Sequence, residues 1–342
     1  MKKPEILFLK QEDVVAAGLL DMKMVLDVVE ETCLGLSGGC VINPPKIKLG
    51  LPDNENWTSF FMSMPAYVKG NTPVAGFKWA AESKRNATVP GMPYGVDVVT
   101  LSDPDTVYPK AIMDGTLITA MRTSAMAGVM AKRMARKNSS TVCLVGAGVI
   151  GRTMIMAMNE VLPELKEILL RDLNEAKAED LASEFRGKIG KVNVVPSRDL
   201  EESVRKSDVV VTETTSRTPF LKRAWLKDNA TVIQMSSYEI EDDVLLGADR
   251  VAVDNWEQLS RGAGTLVKKL ADEGKLKRED VAEIHELVSG EKPGRRGDDE
   301  LTVSCLHGVG AIDVAVANRI YEMATEKGIG QRLVLWDNPL WV

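Results

Sequence analysis

Histidine is almost missing from this chain. Only His285 and His307 occur among 342 residues, too few for a histidine-rich metal centre and a weak basis for a Ser-His-Asp triad. Cysteine is nearly as sparse. Cys33, Cys40, Cys143 and Cys305 make no CxxC pair and no zinc-like spacing, so no metal is expected. Cys143 sits in an apolar run, where a thiol acts as a small hydrophobe. No apolar run approaches the roughly 20 residues of a membrane span. The opening MKKPEILFLKQEDVV has two lysines but only ILFL as an apolar stretch, shorter than a secretory signal needs, and a cytoplasmic protein is expected. Positive charge is not in excess either. A net charge of −6 argues against nucleic acid or an anionic membrane as partner.

What the chain does have is length and apolar content for about two globular domains: 44% of residues are hydrophobic and 27% charged. After a short strand at EILFL, DMKMVLDVVEETCLGLSGG has helical periodicity and stops at Gly38–Gly39. From Lys46 to about Ile112 come short β-prone stretches separated by Gly, Pro, Asn and Asp, which predict an antiparallel sheet. SDPDT suits the turn of a hairpin there. DGTLITAMRTSAMAGVMAKRMARKN predicts a helix crossing between domains, with basic residues near its C-terminus. From TVCLVGAG onward, strands and helices alternate as in a doubly wound parallel sheet. GVGAIDVAVANRIYEMATEKG predicts a last helix that returns to the first domain.

The stretch VGAGVIG completes G-x-G-x-x-G with Gly146, Gly148 and Gly151. Such glycines allow a tight turn, close approach of backbone to a pyrophosphate, and close helix–strand packing. The following helix, beginning at Val149 and Ile150, offers its N-terminal N–H groups to phosphate. Asp172 ends the next predicted strand, where an acid accepts from ribose hydroxyls and repels a 2′-phosphate. NAD is therefore expected rather than NADP.

Lys78 lies in the apolar run AGFKWAAESKRN, and lysine is seldom buried without a partner. It reads either as a lysine snorkelling from a strand edge or as a carboxylate clamp or proton carrier. Arg122 and Thr123 interrupt an apolar helix. Arg122 suits a bidentate carboxylate contact or an interface ion pair. Lys46 and Lys48 flank an isoleucine and share one strand face, a pattern most common on a solvated face. GRRGDDEL reads as a solvated loop. His307, at a strand-to-helix turn before GVG, is structural or catalytic.

Lys78 in FKWAAESKRN, DGTLITAMRTSA, VGAGVIG with Asp172, DVVVTETTS, RVAVDNWEQ and GDDELTV…GVGAIDV occur in order over most of the chain. Together they resemble the ornithine cyclodeaminase / mu-crystallin family. The resemblance implies a Rossmann domain, residues 121–310, inserted into an α+β substrate-binding and dimerisation domain, residues 1–120 plus 311–342. It implies that Lys78 and Arg122 hold a substrate carboxylate, with Lys46 where many members carry an arginine. It also places Thr123, Thr214 and Thr215 near the cofactor and matches Asn86 to a frequent asparagine. Ser236 and Gly308 join the expected cofactor positions. Ser236 and Ser237 stand where cyclodeaminases carry an aspartate, and the shortened loop SSYEIEDD is closer to the branch that oxidatively cleaves N-(2-amino-2-carboxyethyl)-L-glutamate.

The expected function is an NAD-dependent oxidoreductase acting through an imine on the C–N bond of an amino acid or N-substituted amino acid, as a homodimer. Lys78, His307 and ordered water remain open as the proton-transferring group. The alternatives are an ornithine cyclodeaminase with recycled NAD and a non-catalytic nucleotide-binding protein of mu-crystallin type.

Overall fold

The computed structural model describes residues 4–51, 59–70, 72–261 and 264–341. The two lysines that open the chain, and Thr58 at the head of TSFFMSM, lie outside the described residues. The chain divides into two compact units: Met1–Arg122 with Val309–Val342, and Thr123–Gly308.

The first unit begins with β1 (Glu5–Leu9), α1 (Gln11–Ala17) and α2 (Met22–Ser37). Then come β2 (Val41–Ile42), β3 (Ile47–Gly50), β4 (Phe60–Val68), β5 (Val74–Glu82), β6 (Gly95–Ser102) and β7 (Pro109–Asp114). α3 (Thr116–Met134) carries the chain onward across the boundary at Arg122. The returning segment supplies α11 (Gly310–Lys327) and β16 (Gln331–Val334).

Its sheet runs β16-β1-β7-β6-β5-β4-β2, with β3 also on β4. The SDPDT hairpin joins β6 to β7 through a register shift at Leu101/Ser102. Pairing is antiparallel except that β1 lies parallel to β7. α11 packs on one face of β4, β5 and β6, with Ala311, Ile312, Val314 and Val316 fully buried. Strand alternation therefore sends Lys78, Asp97, Val99 and Leu101 toward α11. Phe77, Trp79, Val96 and Val98 point to the opposite face and are exposed.

The second unit is a βα alternation. It starts with β8 (Thr141–Val145), α4 (Val149–Val161), β9 (Glu167–Arg171), α5 (Glu175–Phe185), β10 (Asn193–Pro196), α6 (Leu200–Lys206) and β11 (Val209–Thr212). β12 (Thr231–Gln234), α7 (Asp242–Leu246), β13 (Arg250–Val253), α8 (Trp256–Arg261) and α9 (Leu266–Asp272) follow. β14 (Val281–Glu283), α10 (Ile284–Ser289) and β15 (Thr302–Cys305) complete it. All pairs are parallel, in the order β10-β9-β8-β11-β12-β15-β13-β14. The central strands are apolar and buried on both faces, as a parallel sheet covered by helices requires. Strand order reverses between β8 and β11, which opens a crevice at their C-terminal ends.

The GRRGDDEL run is not a simple solvated loop. Arg295 turns inward and donates to the carbonyls of Met134, Gly297 and Glu300 and to the hydroxyls of Thr231 and Thr302. This arginine satisfies carbonyls at the ends of several elements, so its charge serves the fold. Burial pushes the Cys143 thiol up to about 12, and burial followed by the charges of Asp254 and Glu239 does the same for Cys305, consistent with inert packing residues. Among the described residues no helix is long and apolar enough to cross a membrane.

Candidate functional site

The second unit places the glycine turn at its switch point. β8 ends at Val145, and Gly146 follows with φ +125°, a conformation that side chains other than hydrogen rarely take. A Cβ on Gly151 would lie 2.3 Å from the Gly146 carbonyl oxygen, whereas one on Gly148 would meet nothing within 4 Å. Gly151 thus seats α4 against the turn, while Gly148 leaves backbone open to a ligand. Gly148 is also the N-cap of α4, whose first residue, Val149, is exposed. Asp172, just past β9, accepts from Ala147 N and Asn174 N, both at 2.8 Å. Each carboxylate oxygen keeps a lone pair for a hydroxyl.

Three acids of this unit escape a motif reading. Glu213 follows β11 at the crevice, and its Oε1 would lie 2.8 Å from a Cβ on Gly151. Its Oε2 is buried without a partner. Burial, then Glu239 and Asp172, hold the Glu213 carboxyl well above the usual range. Glu239 comes from the SSYEIEDD loop and is fully buried. It accepts from the Thr212 hydroxyl at 2.8 Å, from Ser236 N at 3.2 Å and from Thr214 N. Asp254, beyond β13, takes His307 N and Gly308 N on one oxygen at 2.6 and 2.5 Å. Gln258 Nε2 donates to Gly308 O at 2.9 Å. The His307–Gly308 segment is therefore fastened through its backbone. Thr215 is exposed.

In the first unit, Lys78 is 1% exposed and Arg122 5%. Lys78 does not snorkel. Both cations converge on Asp313, which is 0% exposed: Arg122 Nε lies 2.8 Å and Lys78 Nζ 3.0 Å from the same Oδ1. Asp313 stands in the first turn of α11, where the helix dipole favours a carboxylate. Asn43 Oδ1 accepts from Ala311 N at 2.8 Å, and Gly310 lies so close to Met64 that a Cβ would be 3.0 Å from its carbonyl oxygen. Those two contacts hold that turn over β4.

Burial opposes ionisation of Asp313, yet Arg122 and Lys78 outweigh it and hold the carboxyl below its ordinary value. Burial and then Arg122 lower Lys78, against the opposing pull of Asp313 and Asp97. Arg122 spends its Nε edge on Asp313, and the Nη1/Nη2 pair is the geometry that takes a carboxylate.

The same sheet face carries further charge. Asp97 is buried on β6, and Thr119 of α3 connects it to Lys78. Lys48 is opposite Met62, Met62 opposite Ala80, and Ala80 opposite Asp97, so these share one face. Lys48 Nζ stands 4.4 Å from the Phe60 ring centroid. Burial first, then Asp97, raise Glu82, while Lys78, Lys48 and Lys46 pull it back. Lys46 lies just outside β3. Asn86 donates to Pro93 O at 3.0 Å, tying the segment after β5.

Motif reading thus located Lys78 and Arg122 but not the acid between them. The signal was present: Asp313 is the one charge in VGAIDVAVAN. Asp97 and Glu82 became visible only with strand register, and Thr119 only with the placement of α3 against it.

The sequence profile of the ornithine cyclodeaminase/mu-crystallin family matches residues 5–328. N-((2S)-2-amino-2-carboxyethyl)-L-glutamate dehydrogenase of Staphylococcus aureus is 28% identical over 97% of this chain and 99% of its own length. Alanine dehydrogenase of Archaeoglobus fulgidus is 31% identical, covering 96% of this chain and 98% of that protein. The solved structure of Thermococcus litoralis Delta(1)-pyrroline-2-carboxylate reductase, in complex with NADH and L-proline, superposes with TM-score 0.88 at 29% identity. That superposition covers 96% of this chain and 100% of the other.

Proposed function

This chain belongs to the ornithine cyclodeaminase/mu-crystallin family, and we propose that it is an NAD-dependent oxidoreductase acting at the C–N bond of an amino acid or N-substituted amino acid. The observation that carries this reading is the buried Lys78–Asp313–Arg122 cluster. Burying two cations on one carboxylate oxygen is costly, and a carboxylate ligand is the chemistry such a cluster serves. The names of relatives point the same way: a dehydrogenase of an N-substituted glutamate, an alanine dehydrogenase and a reductase of a cyclic imino acid.

The glycine turn fits NAD. Gly148 leaves an open backbone, α4 presents its N-terminus, and Asp172 ends β9 with lone pairs to spare. NAD bound there supplies the acceptor, or as NADH the donor, of a hydride. Gly146, Gly148, Val149, Ile150, Gly151 and Asp172 would be its principal contacts, and Asn86, Thr123, Thr214, Thr215, Ser236 and Gly308 would join them as positions implied by the family.

In the substrate reaction, Arg122 orients the α-carboxylate through its two terminal nitrogens, with Lys46 as a second cation. Lys78 moves the proton of the amine nitrogen, and its lowered pKa brings it closer to that task. Asp313 aligns both cations and keeps them from repelling one another. Orientation and proton transfer are each capable of contributing several kcal/mol, of order ~3–5, to rate. Loss of hydride from Cα of the neutral amine leaves a protonated imine, which water converts to a keto acid and a protonated amine.

A second copy of the chain is the proposed cover for the outer sheet face. Phe77, Trp79, Val96 and Val98 are 38%, 38%, 44% and 39% exposed there, and Phe61 stacks on Trp79 at 5.6 Å. A contiguous apolar face of this kind is characteristic of an interface. A cytoplasmic location goes with this reading.

The test is near-ultraviolet absorbance of NADH, with purified protein, NAD and a panel of L-amino acids including ornithine and N-carboxyalkyl amino acids. NADH formed with one member establishes the activity and its substrate class. Proline and ammonia from ornithine without net NADH would establish a cyclodeaminase instead, and silence with tight nucleotide binding a binding protein.

A further inference from the structure

Lys78 Nζ lies 3.0 Å from Thr119 Oγ1, and Thr119 Oγ1 lies 2.5 Å from Asp97 Oδ2. The direct Lys78–Asp97 separation is 3.6 Å. A hydroxyl has one hydrogen. Thr119 gives it to Asp97, which only accepts, and therefore receives from Lys78, which only donates. The chain Lys78 → Thr119 → Asp97 has one direction.

We infer that Thr119 and Asp97 form a proton relay that withdraws the proton of Lys78 and makes it a base toward the substrate amine. This assigns the partner that the dehydrogenase reading, on which the inference rests for its chemical purpose, requires. The step is a concerted shift. One Lys78 N–H bond breaks as its proton joins Thr119 Oγ1, and the hydroxyl hydrogen of Thr119 moves to Asp97 Oδ2. Lys78 becomes a neutral amine and Asp97 a neutral acid, so total charge is conserved. The Lys78 lone pair then takes a proton from the substrate ammonium nitrogen, leaving that nitrogen a free amine. Imine reduction runs the same chain backward.

Asp313 does not serve this purpose. Its Oδ1 already takes both cations, its Oδ2 is buried without a partner, and protonating it would leave Arg122 buried without a counter-charge. Asp97 Oδ2 is the acceptor at the end of the Thr119 hydroxyl. Its Oδ1 accepts from Ala81 N at 3.3 Å, and its backbone is held by Thr116 and Gly115. The charged groups around the relay are few. Lys78 is faced by Arg122 from α3, Asp313 from α11 and Asp97 from β6. Asp97 is faced by Lys78 and Glu82 from β5.

Three measurements test the relay. The first needs no substrate: exchange of the Lys78 ammonium hydrogens with solvent, followed by 15N NMR on wild type, Thr119→Val and Thr119→Ser. A relay makes exchange at least about tenfold slower in Thr119→Val and restores it in Thr119→Ser. Equal rates in wild type and Thr119→Val overturn the inference, whether or not the protein oxidises any amine. The second follows kcat against pH with the substrate found by NADH formation. Thr119→Val is expected to lose about 10- to 100-fold in kcat near neutral pH, with KM within about threefold, and to recover as bulk solvent deprotonates Lys78 at alkaline pH. Asp97→Asn is expected to behave alike. Because Thr119→Val could fold poorly, a proton inventory on wild type in mixed H2O and D2O gives an independent readout. A curved inventory reports more than one proton in flight and a linear one refutes the relay. A panel with no NADH at all, alongside relay-dependent exchange, would reject the proposed function and leave the relay standing.

Discussion

Replacing Asp313 by asparagine tests the cluster most directly, because it keeps shape and removes one charge. Asp313 is the shared acceptor of Arg122 Nε and Lys78 Nζ, and all three side chains are essentially sealed from water. Removing one member of a buried ion pair costs about 3–5 kcal/mol, since the remaining charge stays desolvated. For a unit of this size that corresponds to a fall of roughly 10 °C in melting temperature.

The loss depends on pH. Burial and Arg122 already hold Lys78 below its ordinary value. The unfolded chain therefore binds a proton that the folded chain lacks between that lowered pKa and about 10.4, and stability rises with pH across this window. Without Asp313, Lys78 falls further, and the window opens at lower pH. The variant's deficit should thus be largest where Lys78 is charged in both proteins. It should shrink toward high pH, where only Arg122 still misses its partner. Calorimetric melts of both proteins at a low pH, where Lys78 is charged in both, and at a high pH approaching about 10.4 measure this. A shift below about 2 °C, or equal shifts at the two pH values, would refute the claim that one carboxylate neutralises both cations. In the NADH assay the same variant is expected to lose about 100-fold or more in kcat/KM, as the carboxylate clamp and the base lose alignment.

Three further outcomes are expected. Gly151→Ala puts a Cβ 2.3 Å from the Gly146 carbonyl oxygen, so the turn must open. The NAD dissociation constant, by fluorescence titration, should rise about 100-fold, and a change under about threefold contradicts the assigned turn. Glu213 lies beside that turn, and its raised pKa moves its ionisation to higher pH than that of an ordinary glutamate. Wild-type affinity for NAD should then weaken with rising pH, and Glu213→Gln should abolish this dependence. Identical pH profiles would remove Glu213 from cofactor binding. Trp79→Glu places a charge on the exposed outer sheet face and should turn a dimer into a monomer by light scattering, whereas an undisturbed dimer would place the interface elsewhere.

Features that depend on local backbone chemistry were legible in the sequence. Gly146, Gly148 and Gly151 needed only a strand before them and a helix after them. Asp172 needed only its place at the end of the next strand. β-branched runs such as VVVT and alternating helical periods likewise specified the parallel unit, because a strand buried on both faces has no room for polar residues. Lys78 and Arg122 stood out as cations in apolar surroundings, which burial makes expensive and therefore conspicuous.

The rest depended on what tertiary packing brings together. Lys78 and Asp313 are more than 230 residues apart, and nothing in either neighbourhood specifies the other. Their contact exists because α11 returns to the sheet face that β5 presents. Strand register, which local sequence leaves open, put Asp97 rather than Val96 or Val98 on that face, since a slip of one residue reverses every side chain. The reversal of strand order between β8 and β11 set Glu213 beside the glycine turn. By itself the sequence determined the two kinds of sheet, the tight glycine turn between β8 and α4 and the two buried cations, because each follows from short-range sterics or desolvation. Only the tertiary structure decided which acids meet those cations, because Coulomb and hydrogen-bond partners are chosen by distance in space and not by distance along the chain.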